Sequence, residues 1–177
     1  MFLEESKIAD AVWTLRNNGV VILPTDTVYG LCTHEKNNAG VKRIFTIKGR
    51  DPGKPLPLLI PKIEAVWEWI ERTDELDEIC RKYWPGSTTL IMPLKAGGSI
   101  GIRMPDFSPV IKIMEQTGPL YATSANVSGS PAPGTINEIP EEIKKKCDLV
   151  VDFPGSKSKI PSRIIDITAS DQKILRE

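Results

Sequence analysis

Apolar residues recur at helical spacing near the start of the chain. Ile8, Ala11, Val12 and Leu15, with Ser6 in a capping position, predict a helix over residues 6–17 that Asn17-Asn18-Gly19 ends. The run Val20-Val21-Ile22-Leu23, stopped by Pro24, predicts a buried strand. The helical period returns over 38–48, where Val41, Ile44, Phe45 and Lys48 fall on neighbouring turns. A second apolar run over 56–60 predicts another strand, and Pro57 assigns it to a sheet edge because proline cannot donate to a ladder. Helices are expected over 62–71, 74–83, 109–116 and 137–146. Strands are expected over 88–92, 99–103, 120–123 and 149–152, with a closing hairpin from 164–167 and 173–175. Trp84-Pro85-Gly86 reads as a turn, and Gly97-Gly98 lies in the loop between two of the strands. Helices and strands alternate and then strands run together, which predicts an α/β fold with a mixed sheet.

Composition narrows the function classes. The chain has 177 residues, 40% of them hydrophobic, enough for one core, so the expectation is a single domain over 1–177. Lys plus Arg and Asp plus Glu both number 23, and this zero net charge argues against a surface wrapped in nucleic acid. No apolar run approaches the roughly 20 residues that span a bilayer. The first residues lack a signal-peptide layout. Cys32, Cys80 and Cys147 are far apart and odd in number, so neither a disulfide framework nor a zinc site is expected. The expectation is a soluble, cytoplasmic protein with no membrane partner and no metal held by its own side chains.

Several clusters carry candidate chemistry. Pro24-Thr25-Asp26-Thr27-Val28-Tyr29-Gly30-Leu31 follows a buried strand, where α/β proteins place ligands; the same residues also cap turns. Lys42, Arg43, Lys48, Arg50 and Lys54 stand against one acid, Asp51. That excess suits a polyphosphate or carboxylate, or simply a solvated helix end. Gly49 to Pro55 is not a Walker A loop, because its glycines are one residue too close and Pro55 replaces Ser or Thr. Ala122-Thr123-Ser124-Ala125-Asn126-Val127-Ser128-Gly129 runs from a strand into a hydroxyl-rich loop that serves either phosphate binding or an Asx turn. Arg103 ends an apolar strand, where a charge needs a partner. A lone histidine, His34, makes a Ser-His-Asp triad doubtful, and Cys32 has no activating neighbour in sequence. A site of hydroxyls, Arg and Lys fits substrate positioning and charge stabilisation without a covalent nucleophile.

Taken in order, Pro24-Thr-Asp-Thr-Val-Tyr-Gly-Leu31, Lys48-x-Arg50 with Lys54-Pro55-Leu56, Trp84-Pro-Gly86, Arg103-Met-Pro105, Ser124-Ala-Asn126-x-Ser-Gly129 and Ser162-x-Ile-Ile-Asp166 resemble the YrdC/Sua5 (TsaC) family over residues 6–176. The resemblance implies a YrdC-like domain, in its short form, with a twisted mixed sheet flanked by helices and an open concave substrate cleft. It implies an L-threonylcarbamoyladenylate synthase, a nucleotidyltransferase that makes threonylcarbamoyl-AMP and pyrophosphate from L-threonine, bicarbonate or CO2, and ATP with Mg²⁺. The product serves N6-threonylcarbamoyladenosine formation at position 37 of tRNA, so the modification machinery and contact with tRNA or RNA are implied as well. The catalytic cations would be Lys48, Arg50 and Arg103. L-Threonine would meet Thr27, Tyr29, Arg103, Ala122 and Ser162. ATP would meet Lys48, Arg50, Lys54, Ser99, Ser124, Asn126, Ala132 and Arg176. Three positions depart from the family pattern: Asp26 for Glu, Leu59 for His, and Arg163 for Thr. The loops at Gly97-Gly98 and 131–134 are lid candidates. An RNA-binding or maturation-factor domain without catalysis is the alternative on the same fold; zero net charge and the lack of an aromatic ladder on a basic strand speak against it.

Overall fold

The apolar run at 20–23 sends its side chains to both sides of one sheet: Val21 and Leu23 pack on one face, Val20 and Ile22 on the other, and all four are fully buried. Period-two alternation of this kind is what a strand covered on both faces requires. The computed structural model describes residues 2–155, 160–169 and 171–177. In chain order the elements are α1 (Phe2–Arg16), β1 (Val21–Leu23), β2 (Gly30–His34), α2 (Asn38–Lys48), β3 (Leu58–Leu59), a 3-10 turn (Ile63–Glu68), α3 (Asp74–Tyr83), β4 (Thr88–Pro93), β5 (Ser99–Arg103), α4 (Ser108–Thr117), β6 (Leu120–Ser124), a 3-10 turn (Ile136–Glu138), α5 (Glu141–Lys144), β7 (Leu149–Val150), β8 (Arg163–Asp166) and β9 (Lys173–Arg176).

The strands form one mixed sheet in the order β7-β1-β2-β6-β3-β5-β4-β8-β9. The pairs β1/β7, β3/β5 and β4/β8 are parallel and the rest antiparallel. Helices α1 and α4 cover one face over β1, β2 and β6. The opposite face is covered by two clusters that Tyr121 touches in common. One lies under α2 and α5; the other, around Leu58, Leu90, Ile102 and Ile165, lies under α3 and the first 3-10 turn. The first face is therefore left open over β3, β5, β4 and β8. Leu59 and Arg103 stand side by side there, as do Thr89 and Ile164, while their neighbours Leu58, Ile102, Leu90 and Ile165 are turned into the core.

Several expectations need correction. Residues 30–34 form β2, an interior strand; the sequence reading places Gly30 and Leu31 in a loop after β1 and assigns no element to 32–34. The end of the strand, Thr33-His34, is polar, yet Thr33 is fully buried and donates to the Gly19 carbonyl (3.0 Å). β3 is not an edge strand but lies between β6 and β5. Pro57 is tolerated because it precedes the paired residues, and its carbonyl still accepts from Ala122 N (2.9 Å). The helix expected over 62–71 is only a 3-10 turn, and the one over 137–146 is broken at Pro140 into a 3-10 turn and α5.

Helix α2 is held at its start by Asn37, whose Oδ1 accepts from Gly40 N (2.9 Å) and whose Nδ2 donates to the Asn18 carbonyl (2.7 Å) and Thr33 Oγ1 (2.9 Å). Gly40 fits this knot because a Cβ there would come within 2.3 Å of Thr33 Oγ1 and Asn37 Nδ2. Asn37→Ala removes a cap and leaves buried partners unpaired, and is expected to lower stability by about 2–4 kcal/mol in urea unfolding. A change below about 0.5 kcal/mol would show that the knot does not anchor α2.

Candidate active site

At its other end, α2 stops at Lys48 because Gly49 takes the left-handed conformation (φ 58°), so the chain turns sharply and Arg50 N bonds the Phe45 carbonyl (3.0 Å). The Lys48 side chain is 2% exposed. Its ammonium donates to the carbonyls of Ser124 and Asn126 (2.8 Å to the latter) and to Asn126 Oδ1 (3.1 Å). Asn126 is oriented in turn by its Nδ2, which donates to the carbonyls of Val127 (3.0 Å) and Ser130 (2.5 Å). The Lys48 carbonyl accepts from Ser128 N (2.9 Å). Lysine and loop thus hold each other at the end of β6. No carboxylate among the described residues pairs with this ammonium. Burial, and then the nearby Arg50 charge, lower its pKa from the usual 10.5 to about 8.

Arg50 closes the next loop on itself: Nε donates to the Lys54 carbonyl (2.9 Å) and Nη2 to that of Pro55 (3.1 Å). Arg103 closes β5. Its side chain is 7% exposed and donates through Nε to the Gly86 carbonyl (3.1 Å), through Nη1 to Thr27 Oγ1 (2.9 Å), and through Nη2 to Asp26. The Trp84-Pro85-Gly86 turn supplies that carbonyl, and the turn is fixed by Trp84 Nε1 donating to the Thr88 carbonyl (2.8 Å) and Gly86 N to that of Met104 (2.9 Å). Burial lowers the Arg103 pKa, Asp26 opposes that effect, and the guanidinium remains a cation. Thr27 itself is set by Thr25, whose hydroxyl is 2.9 Å from Thr27 Oγ1 and bonds the Val28 carbonyl.

These groups border one cleft of about 740 Å³ over the open half of the sheet. Five basic residues line it, Lys48, Arg50, Lys54, Arg103 and Arg176, against one acid, Asp51. Thr27, Ala122, Ser124, Asn126, Ala132 and Ser162 line it too, and Leu59 lies on its floor. Ser99 does not; it faces an adjoining recess of about 350 Å³ that shares Arg50, Lys54, Pro57, Thr89 and Ile164 with the cleft. Tyr29 is likewise not among the lining residues. Its ring packs with α2 and α5, and its hydroxyl donates to Asp152 (2.5 Å), while its backbone ties Ala125 and Pro133 together. Desolvation and Asp152 push its pKa up. Arg163 does not line the cleft either: it shares its strand face with Ile165, which is turned into the core, while Ile164 between them lines the cleft. Gly97-Gly98 forms the β4–β5 turn away from the cleft, whereas Pro131 stands at its rim.

His34 is a joint between elements: Nε2 bonds the Thr117 carbonyl (2.7 Å) and Nδ1 accepts from Lys36 N (3.1 Å). Cys32 is fully buried and its thiol pKa is pushed up to about 12, which suits a core residue and not a nucleophile. Sequence reasoning missed Thr89, a polar residue at a cleft-facing position within the apolar run 88–92. The available signal was that alternation, with Leu90 and Met92 inward and Thr89 outward.

Comparison with known proteins identifies the family and the fold. The Sua5/YciO/YrdC family model, described as telomere recombination, matches residues 14–177. The threonylcarbamoyl-AMP synthase of Pyrococcus abyssi is 32% identical over 185 residues, covering 98% of this chain and 54% of that protein. That of Bacillus subtilis is 33% identical over 184 residues, covering 97% of this chain and 53% of its own length. This chain therefore spans about half the length of these two relatives. The crystal structure of Pyrococcus abyssi Sua5 complexed with L-threonine superposes with a TM-score of 0.86 at 31% identity, over 96% of this chain and 53% of that one. Escherichia coli YciO shares the fold with a TM-score of 0.83 at 23% identity, over 96% of this chain and 88% of that one. With the family match over residues 14–177 and relatives more than 30% identical over nearly all of this chain, the chain belongs to the Sua5/YciO/YrdC family.

Proposed function

We propose that this chain is an L-threonylcarbamoyladenylate synthase, a nucleotidyltransferase that acts on L-threonine, bicarbonate or CO2, and ATP. The observation that carries the reading is the buried Lys48 ammonium, satisfied by neutral oxygens alone, at the edge of a cleft lined by four further cations and a single acid. A chain of zero net charge has concentrated positive potential where two anionic reactants would have to meet. The names of the relatives support the same activity.

The reaction needs little covalent help from the protein. The threonine amine, in its neutral form, adds to CO2 and loses a proton to give a carbamate. A carbamate oxygen then bonds to the α-phosphorus of ATP as the bond from that phosphorus to the bridging oxygen breaks, and pyrophosphate leaves with the electron pair. Both reactants are negative, so Lys48, Arg50 and Lys54 would offset the repulsion on the phosphate side. Arg103 would meet the amino-acid carboxylate with the N–H groups that Gly86, Thr27 and Asp26 leave over: three of its five are engaged. Ser124 and Asn126 would border the nucleotide, and Ala122, Ser162 and Thr27 the amino acid. Mg²⁺ would arrive on the ATP phosphates as part of the substrate. The single-domain organisation over 1–177, a cytoplasmic setting, and delivery of the product to tRNA and its modification machinery belong to the same proposal. Among the described residues no helix is long and apolar enough to cross a membrane.

Pyrophosphate release by the purified chain tests this. The expected result is release from ATP that requires both L-threonine and bicarbonate; release indifferent to threonine would overturn the reading. Lys48→Met keeps the bulk and removes the charge, and is expected to lower kcat/KM for ATP by about 10- to 100-fold. A change below twofold would remove Lys48 from the site. The ATP affinity of the free protein is also expected to depend on pH. The Lys48 ammonium, with its pKa near 8, is charged below that value and neutral above it. Calorimetric titrations between pH 7.5 and 9.5 are expected to show ATP binding weakening as pH rises through about 8, with the slope abolished in Lys48→Met. A flat profile in the wild type would contradict the assignment.

A further inference from the structure

Thr89 and Ser162 form a hydroxyl pair on the open floor of the sheet, with Oγ1 and Oγ 2.8 Å apart. Both are buried, at 5% and 7% exposure, and both line the cleft; Thr89 also lines the adjoining recess. Arg176 clamps Ser162 from β9: Nε donates to its carbonyl (2.8 Å) and Nη2 to its Oγ (3.1 Å). These contacts fix a proton count. The pair owns two hydroxyl hydrogens, and one lies in the bond between the two oxygens. Arg176 only donates, so it cannot accept the other. Neither hydroxyl has a further acceptor among the described residues. If Ser162 donates to Thr89, the Thr89 hydrogen is left over; if Thr89 donates to Ser162, the Ser162 hydrogen is. Either way one O–H, on a buried pair that Arg176 contacts, is left at the cleft with no acceptor among the described residues. A buried donor without an acceptor is costly, and such groups mark places where a ligand completes the bonding.

We propose that Thr89 is a ligand-contacting residue: Ser162, whose oxygen already accepts from Arg176, donates to Thr89 Oγ1, and Thr89 presents its own hydroxyl hydrogen to an anionic oxygen of the substrate. This rests on the cleft being the substrate site proposed above. Two sources carry that chemistry, a phosphate oxygen of ATP and the carboxylate of L-threonine. Gly101 keeps the position clear, since a Cβ there would stand 3.2 Å from Thr89 Cγ2 and 3.5 Å from Pro57 Cβ.

Thr89→Val replaces the hydroxyl with a methyl of similar size, and Thr89→Ser keeps the hydroxyl and drops the methyl. ATP and L-threonine are titrated separately into each variant by calorimetry, alongside turnover and thermal unfolding. A hydrogen bond to a charged group predicts about 10- to 100-fold weaker binding of one of the two ligands in Thr89→Val, with Thr89→Ser close to wild type. Weakening of ATP alone assigns the oxygen to a phosphate, and weakening of L-threonine alone assigns it to the carboxylate. Binding of both within twofold of wild type with unchanged turnover overturns the proposal. Equal losses in Thr89→Val and Thr89→Ser also overturn it, because Thr89→Ser keeps the hydroxyl and removal of that group could not then be the cause. Thr89→Ala, which opens space and does not crowd it, carries the same comparison should Thr89→Val not fold. If the wild type binds ATP yet forms no threonylcarbamoyl adenylate, the synthase reading fails while the ATP arm still decides the role of Thr89.

Discussion

A lysine ammonium held only by neutral oxygens is the constraint on which the site depends. Taking a cation out of water is unfavourable unless its hydrogen bonds are replaced, and Lys48 replaces them with carbonyls of Ser124 and Asn126 and the amide oxygen of Asn126. The replacement is incomplete: the fall in pKa from 10.5 to about 8 corresponds to roughly 3 kcal/mol by which the fold disfavours the charged form. Because the folded pKa lies below the unfolded one, that cost is fully present below pH 8 and is relieved as the pH rises toward 10.5. An anionic ligand would relieve it at neutral pH instead. The same three bonds set the shape of the 124–130 loop, so charge and geometry are fixed together.

The second cation is treated in the opposite way. Arg103 is as deeply buried but carries its own counterion, Asp26, and its remaining bonds fix Thr27 and the Gly86 turn. A buried ion pair contributes little net stability when the alternative is apolar packing, whereas breaking it leaves a lone buried charge. Its value here is orientation, because β5 delivers the guanidinium to the floor of the cleft at a fixed angle. The two solutions suit their places: a compensated arginine at the centre of the sheet, and an uncompensated lysine where a polyanion would enter. Both need the sheet to be covered on one face and open over half of the other, which the two-sided burial of β1 and the one-sided burial of β4, β5 and β8 bring about.

Much of this is legible in the residues. Continuous apolar runs announce β1, and alternating positions announce β4 and β5. Cations crowded around Lys48 to Lys54 in a neutral chain announce the anion site, and Arg103 at the end of an apolar strand announces a buried partner. What escapes is set by contacts distant in sequence. β2 hides because Thr33 is buried by hydrogen bonds to Gly19 and Asn37 and not by its own apolarity. β3 looks like an edge because Pro57 is read as part of the strand and not as the residue before it. Tyr29 sits in a motif whose neighbours reach the cleft, but the turn sends its ring to the opposite side, where Asp152, 123 residues away, receives the hydroxyl. Arg163 and Ile164 differ by one residue and so lie on opposite faces, a distinction that only the register of β8 against β4 settles.

The most direct test is the titration of the Lys48 ammonium itself, followed by NMR in protein labelled at the lysine side chains and assigned with Lys48→Met. The account predicts a pKa near 8 in the free protein and a rise of a unit or more when ATP is added, because a phosphate would supply the anion that the fold leaves out. A pKa near 10.5 in the free protein, or one that ATP does not move, would contradict the claim that this buried cation is the group around which the site is built.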